Sequence, residues 1–263
     1  MGGSTDAATV DPAGYWDGAI APLPDGGSWR DHCDRVHRRL LAEWLGDLRV
    51  ARALKTDLFD EAVGPGIVSD IARYARSVHA IDVSQYAVTS ASKGAVCASQ
   101  ADVRELPFRD GCFGVIVSNS TLDHFRRRGD IDTSIRELHR VTAPGGRLVI
   151  TLDNLEHPVV AVRSTIPFPV LRALRVVPYF VGATLTRRGL VERLRAAGYR
   201  VEATTTLIHV PRVAAVAWCA RGDARRPGRR GARLRRLSAW EGLSRWPTAR
   251  WTGHYVAVLA VRA

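Results

Sequence analysis

The feature that most constrains this chain is an alternation of short apolar runs with helical patterns, beginning at Leu54. Residues 54–60 read as a strand, Gly64-Pro65-Gly66 as a turn and 67–77 as a helix. A second strand is expected at 78–82, with Ser84 capping the helix after it. Further on, 113–118 reads as a strand and 131–141 as a helix, and Pro144-Gly145-Gly146 turns the chain into a strand at 147–152. Thr186 opens a helix ended by Gly198, a strand is expected at 199–204, and 254–261 suits a buried strand returning to the sheet. Strands alternating with helices predict a parallel, doubly wound α/β sheet. Ahead of it, residues 1–28 read as a mobile leader and 29–53 as a helical segment, with Asp31 as its cap.

Charge narrows the partners. The chain of 263 residues carries 38 Lys plus Arg against 26 Asp plus Glu, for +12, which first suggests a nucleic-acid or membrane partner. Only Lys55 and Lys93 are lysines, so the excess is arginine, a bias that GC-rich codon usage produces on its own. It is also local: 221–263 holds 11 Arg against Asp223 and Glu241, or +9, leaving +3 for the rest. Pro227, Gly228 and Gly231 make 221–236 read as a solvated linker, within an Arg-rich insertion at 221–250. At 46% hydrophobic and 24% charged, the chain is neither disordered nor fibrous. No uncharged apolar run reaches the ~18 residues of a membrane span, and the first 29 residues do not read as a signal peptide. Cys33, Cys97, Cys112 and Cys219 form no CxxC pair, so neither a zinc site nor a disulfide framework is expected. The expectation is a cytoplasmic protein with no metal.

The chemistry starts at Asp60-Glu61-Ala62-Val63-Gly64-Pro65-Gly66, between a strand and a helix. Glycines there let backbone approach a ligand, and a helix N-terminus offers N–H donors. Asp82, at the end of the second strand, could accept both hydroxyls of a ribose. Gly64-x-Gly66-x-x-Ser69 also approximates a dinucleotide fingerprint, which keeps a NAD-dependent oxidoreductase in view. The same glycines are compatible with a tight turn and nothing more.

Further motifs discriminate. Asp102-Val103-Arg104-Glu105-Leu106-Pro107-Phe108 is followed by Asp110-Gly111-Cys112-Phe113-Gly114-Val115-Ile116-Val117, then Arg140-Val141 and Pro144-Gly145-Gly146. In order and spacing over 54–154 the chain resembles the class I S-adenosylmethionine-dependent methyltransferases, in their small-molecule, methyltransferase type 11-like branch. The resemblance implies a Rossmann-like, mostly parallel seven-stranded sheet with helices on both faces, here with an apolar insertion after the fifth strand. On this reading 54–220 is the cofactor-binding domain, with a cover at 155–185, and 251–263 supplies its last strand. Two departures stand out: Ala62 replaces the first glycine of the family's Asp-x-Gly-x-Gly-x-Gly, and Gly114 stands where Asp is common.

Carried over by resemblance, S-adenosylmethionine is the cofactor, with Gly64 and Gly66 along its methionine moiety and Asp60 at the acidic position before them. Asp82 would hold the ribose hydroxyls, Asp102 the adenine amino group, and the Val103 backbone would lie beside the ring. The alternative for Asp102 is that it simply caps a turn. A hydroxyl acceptor also needs its proton removed. Asn119 and His124 follow the fourth strand and Asp153 the fifth, at the strand ends where open α/β sheets bind ligands. Asn119 could face the cofactor, and His124 or Asp153 could act as catalytic base; alternatively Asp123 and His124 only pair within their loop. The segment 158–183, with Phe168, Tyr179 and Phe180, is compatible with a cover over a lipid-like or aromatic acceptor, or with packing at the sheet edge. Arg163, Arg172 and Arg175 would suit an anionic group on that acceptor, or simply a solvated face.

The leading expectation is therefore methyl transfer to a small-molecule acceptor, at oxygen, with peripheral membrane contact compatible with the basic segment. The alternatives are an RNA methyltransferase or nucleic-acid binder using 221–250, the oxidoreductase, and a relative silenced by Ala62. No interleaved aromatic pattern among the arginines of 221–236 supports nucleic-acid binding.

Overall fold

The computed structural model describes residues 12–21, 23, 26–91, 97–174, 177 and 179–263. Lys93, Arg175, Pro178 and residues 1–11, 22, 24 and 25 of the expected leader lie outside them. Seven strands form one sheet: β1 (Val50–Lys55), β2 (Ala75–Asp82), β3 (Cys97–Gln100), β4 (Phe113–Asn119), β5 (Thr142–Asp153), β6 (Tyr199–Leu207) and β7 (Tyr255–Arg262). Their order is β3-β2-β1-β4-β5-β7-β6. All neighbours pair parallel except β7, which runs antiparallel to both β5 and β6. This is the Rossmann-like, mostly parallel seven-stranded sheet that the resemblance implied. Chain order reverses beside β1, and an open α/β sheet binds ligands at such a switch point, outside the strand carboxyl ends.

Alternate strand residues feed two cores, as the two-residue period of a strand requires. Ala53, Val115, Val117, Val149 and Leu259 face one, with Leu40 and Leu41 of α2 (Ser28–Leu45). Leu54, Ile116, Leu148, Ile150 and Val258 face the other, with Ile131, Ile135 and Leu138 of a long helix after β4 and Leu190 and Leu194 of the helix before β6. That last helix begins as expected: the Thr186 hydroxyl accepts the Gly189 N–H at 3.1 Å. Ser84 does the same for Ala87 N.

Several elements depart from the sequence reading. Residues 12–20 are not a mobile leader but helix α1 (Pro12–Ile20), whose Ile20 is buried and whose Trp16 ring meets Phe59, His124 and Tyr179. Helix α2 begins at Ser28, so Asp31 lies in its first turn, where it pairs with Arg230 instead of capping. Strand β1 lies earlier than expected, because Leu54 and Lys55 pair with His79 and Ala80, and the chain then turns. Two short helices come next, α3 (Phe59–Ala62) and α4 (Val68–Ile71); in place of a helix to 77, the chain is extended from Ala75. After α5 (Gln85–Ala91) come α6 (Arg128–Val141), α7 (Pro158–Arg163), α8 (Phe168–Ala173) and α9 (Arg187–Ala196). Pro158 opens α7, and Pro167 and Pro169 stand at the N-cap and second position of α8, where a missing N–H costs no hydrogen bond.

The Arg-rich stretch is helical as well. It forms α10 (Arg212–Arg225), α11 (Arg230–Trp240) and, after a 3-10 turn, α12 (Ala249–Thr252). Arginine is a good helix former, and Pro227 and Gly228 act only at the break between α10 and α11. Gly114 has a packing reason: a Cβ there would lie 2.7 Å from the Val50 side chain.

Candidate active site

The strand carboxyl ends open into a cavity of about 2320 Å³. Its walls differ along the sheet in where carboxylates gather, with Arg30 and Arg104 lining it beside them. The ends of β3, β2 and β1 contribute Asp102, Asp82, Asp57 and, from α3, Asp60. The opposite half, around β5, β7 and β6, contributes Arg163, His157, His254, His209 and Arg212. Residues 119–125, after β4, lie between them.

Asp82 is the best-defined group on the acidic wall. It is 8% exposed, and its two oxygens accept Leu58 N and Ser84 N, each at 2.8 Å. Burial pushes its carboxyl up to about 6, against those two backbone donors. Among the described residues no cation stands within 4 Å of it. An ionised carboxylate has about four acceptor positions, so two remain for ligand hydroxyls.

Asp60 and Asn119 also line the cavity and meet each other: the Asn119 amide donates to Asp60 at 3.2 Å and accepts from Thr151 at 2.8 Å. Arg30 stands 3.7 Å from Asp60. Asp102 faces the cavity while closing its own turn, accepting Arg104 N at 2.8 Å and pairing with the Arg104 guanidinium at 2.6 Å. Val103 lies beside it, buried.

Gly64 and Gly66 do not join this group. Because β1 ends at Lys55, the glycines lie beyond α3 and outside the cavity lining, as does Ala62. Gly66 has φ +58 and packs on Glu61, where a Cβ would overlap the carboxylate. Glu61 Oε1 accepts Ile67 N and Val68 N at 2.9 and 3.0 Å, starting α4. Its other oxygen takes the Lys55 ammonium at 2.8 Å, which also meets the Asp57 carbonyl and carboxylate at 2.7 and 3.0 Å. Lys55 is fully buried; burial alone would lower its affinity for the proton, but Asp57 and Glu61 hold it above the usual lysine range. The sequence reading missed this triad, although a lysine inside an apolar strand, in a chain with only two, was a visible signal.

His124 lies at the cavity wall, its ring 4.7 Å from that of Trp16 and 5.8 Å from that of Tyr179. Its Nδ1 is 2.9 Å from the Phe180 carbonyl, which can only accept. That assigns the proton to Nδ1 and leaves Nε2 with a lone pair in the neutral ring. The cover is clamped to this loop, since Gly182 N and Ala183 N both donate to 123–125 carbonyls at 2.7 Å. A side chain at 182 would collide with the Phe125 carbonyl.

Asp153 is buried behind the lining. Burial alone would raise its pKa, but His254 at 3.2 Å and Arg163, an ion-pair partner, hold it below the usual carboxylate range. Asp153 is not among the residues that line the cavity. Arg212 differs. Its Nη1 lies 2.9 Å from His254 Nε2 and 3.1 Å from Tyr255 OH, and among the described residues no carboxylate is within 4 Å. His254 Nε2 either accepts from Arg212 or donates to Asp153, never both. Burial lowers His254 and takes His157 down to about 4, so these two histidines are neutral at pH 7 and Arg212 carries the charge.

A seven-stranded α/β sheet with one antiparallel strand and a buried carboxylate at the end of β2 places the cavity at the strand carboxyl ends, where such folds bind ligands. Comparison makes this particular: residues 59–150, about a third of the chain, match the family model described as a methyltransferase domain, Methyltransf_11. The match covers the stretch whose motifs resemble the class I S-adenosylmethionine-dependent methyltransferases. S-adenosylmethionine is the family's methyl donor. The chain is 36% identical over 113 residues to a demethylmenaquinone methyltransferase of Streptomyces avermitilis, covering 37% of this chain and 47% of that one. It is 31% identical over 94 residues to the uncharacterised protein YafE of Escherichia coli K12, covering 35% and 44%. The chain spans less than half the length of each of these two relatives. Among solved structures it resembles the [4+2]-cyclase SpnF, with a TM-score of 0.58, 21% identity and coverage of 95% of this chain and 92% of that one. An S-adenosylmethionine-dependent methyltransferase of Mesorhizobium loti gives 0.57, 16%, 85% and 96%. At these identities the likeness is one of fold. No helix of the described residues is long and apolar enough to cross a membrane, and no group of three or more His, Cys, Asp or Glu among them could hold a metal ion.

Proposed function

We propose that this chain transfers a methyl group from S-adenosylmethionine to an oxygen of a small, lipid-like or aromatic acceptor. The observation that carries this reading is the division of one cavity into an acidic and a basic wall, with Asp82 unpaired on one and Arg212 on the other. The donor is a cation bearing hydroxyl and amine donors, so it suits the carboxylate wall. Asp82 would take the ribose hydroxyls and Asp102, already turned by Arg104, the adenine amine. Asp60, oriented by Asn119, is the acidic group nearest the α3 turn.

When bound, the sulfonium supplies an activated methyl group, so the protein's task is largely orientation. With Nδ1 donating to the Phe180 carbonyl, His124 Nε2, 3.8 Å from the Asp123 carboxylate, is suited to accept the hydroxyl proton. Arg212 and Tyr255 would stabilise the oxygen as it gains negative charge. Trp16, Tyr179, Phe180 and Phe168 give that region an aromatic lining, in keeping with an apolar acceptor. The Streptomyces relative is named a demethylmenaquinone methyltransferase.

The fold alone does not decide the chemistry, since a [4+2]-cyclase shares it. Incubating extracts with methyl-labelled donor and identifying the labelled product by mass tests the reading. Label on an oxygen of a small molecule, absent with Asp82→Ala, supports it; label in RNA, or none, overturns it. His124→Ala is expected to lower turnover about a hundredfold while leaving S-adenosylhomocysteine affinity within about twofold.

A further inference from the structure

The +9 of residues 221–263 has a directional structure that the proposed chemistry does not use. Both of its acids point inward. Asp223 accepts Ser28 N at 2.7 Å and pairs with buried Arg233, and Glu241 accepts Ile208 N and His209 N at 3.1 and 3.2 Å. Of its eleven arginines, Arg233 is thereby neutralised, Arg230 pairs with Asp31, and Arg262 donates to the Arg140 and Thr142 carbonyls at 3.0 and 2.6 Å. The other eight are exposed and stand in no ion pair among the described residues.

These cations surround apolar surface that solvent does not favour. Trp240, Trp246 and Trp251 are 45%, 64% and 46% exposed, and Val213 on α10 is 69% exposed. Val213, Val216, Trp240 and Trp251 also line the cavity, so they form its rim rather than an isolated patch. Helical spacing joins the two features. Arg221 and Arg225 follow the cavity-lining Ala217 at intervals of four along α10, and Arg236 precedes Trp240 by four on α11.

We infer that α10 to α12 dock the cavity mouth on an anionic phospholipid bilayer, tryptophans and valines entering the interface and arginines meeting the headgroups. Amphipathic surfaces of this composition lie in the interface plane, held jointly by buried apolar area and charge. Charge complementarity selects an anionic surface. Exposed valines at the rim gain from a lipid phase and nothing from nucleotides, and Arg250 already stacks on the Trp251 ring at 3.9 Å, covering a face that a base would need. A lipid-like acceptor would then pass from bilayer to cavity without crossing water. The docking surface stands apart from the identity of the methylated atom, so its test does not depend on that reading.

Co-sedimentation of the full chain with vesicles of phosphatidylglycerol mixed with phosphatidylcholine tests this, against phosphatidylcholine alone and a single-stranded RNA. The expected result is binding to the anionic vesicles that falls with salt, with a blue shift of tryptophan emission. Arg236→Glu combined with Arg245→Glu should weaken it by about tenfold or more. Trp246→Ala should weaken it by about threefold. Unchanged S-adenosylhomocysteine binding and circular dichroism certify that these variants fold. Absence of vesicle binding, binding that ignores the arginine reversals, or tighter binding to RNA than to vesicles would overturn the proposal.

Discussion

The two halves of the sheet treat charge in opposite ways. On the β3-β2-β1 side the carboxylates Asp57, Asp60 and Asp102 are each balanced by Lys55, Arg30 or Arg104, whereas Asp82 faces the cavity with, among the described residues, backbone donors and no cation within 4 Å. On the β5-β7-β6 side Asp153 is balanced by Arg163, and Arg212 has neutral partners only. Among the described residues, Asp82 on one side and Arg212 on the other thus lack a partner of opposite charge within 4 Å. Burying an unmatched charge costs free energy that the fold must offset elsewhere. The natural counterparts are a ligand rich in donors on one side and one carrying negative charge on the other.

The largest effect should come from breaking the balance where it is complete. Lys55→Ala leaves Asp57 and Glu61 buried without their cation, and is expected to cost about 3–5 kcal/mol in denaturant unfolding. Lys55→Met, which fills the same volume, should recover part of that loss. A change below about 1 kcal/mol would show that the triad is not the anchor of the β1 turn.

Next in size is the basic wall. Arg212→Gln should lower kcat/KM for the acceptor by about ten- to thirtyfold, with S-adenosylhomocysteine affinity held within about twofold. Equal loss of both would merge the two walls into one site and undo the comparison.

The smallest effect is the one pH should produce on the acidic wall. Burial holds Asp82 at about 6 in the free protein, above its ordinary value. Ligand hydroxyls favour the ionised form, so cofactor affinity is full above pH 6. It should fall as pH drops through that value, by at most about tenfold per pH unit. Calorimetric titrations between pH 7 and pH 5 give the slope directly, and a flat profile would mean Asp82 does not touch the ligand. Folding responds in the opposite sense: a raised carboxyl favours the native state below pH 6 and loses that contribution as pH rises through it.

Much of the frame was legible in the sequence. The strand at 113–118, the helix capped by Thr186 and the closing strand follow from periodicity and end signals that tertiary contacts do not override. The 54–154 motifs carried the resemblance through their order and spacing, and 59–150 of that stretch match the family model. The β1 turn was misread for a physical reason: a glycine pair looks like a ligand loop, yet Gly66 makes room for a carboxylate of the protein itself. Helix α1 and the Arg-rich helices were misread because composition hid their packing. Trp16 is ordered by aromatic contacts far along the chain, and Leu234 and Leu237 are buried beneath an otherwise basic helix. Arg212 gave no local signal, since its role comes from what the fold leaves out around it.

The division of the cavity stands or falls on Asp82. Calorimetric titration of S-adenosylhomocysteine into the wild-type chain and into Asp82→Ala tests it most directly. A micromolar dissociation constant that weakens about thirtyfold in the variant, roughly 2 kcal/mol for lost charged hydrogen bonds, is the predicted result. Absence of binding to the wild-type chain, or equal binding by both, would contradict it.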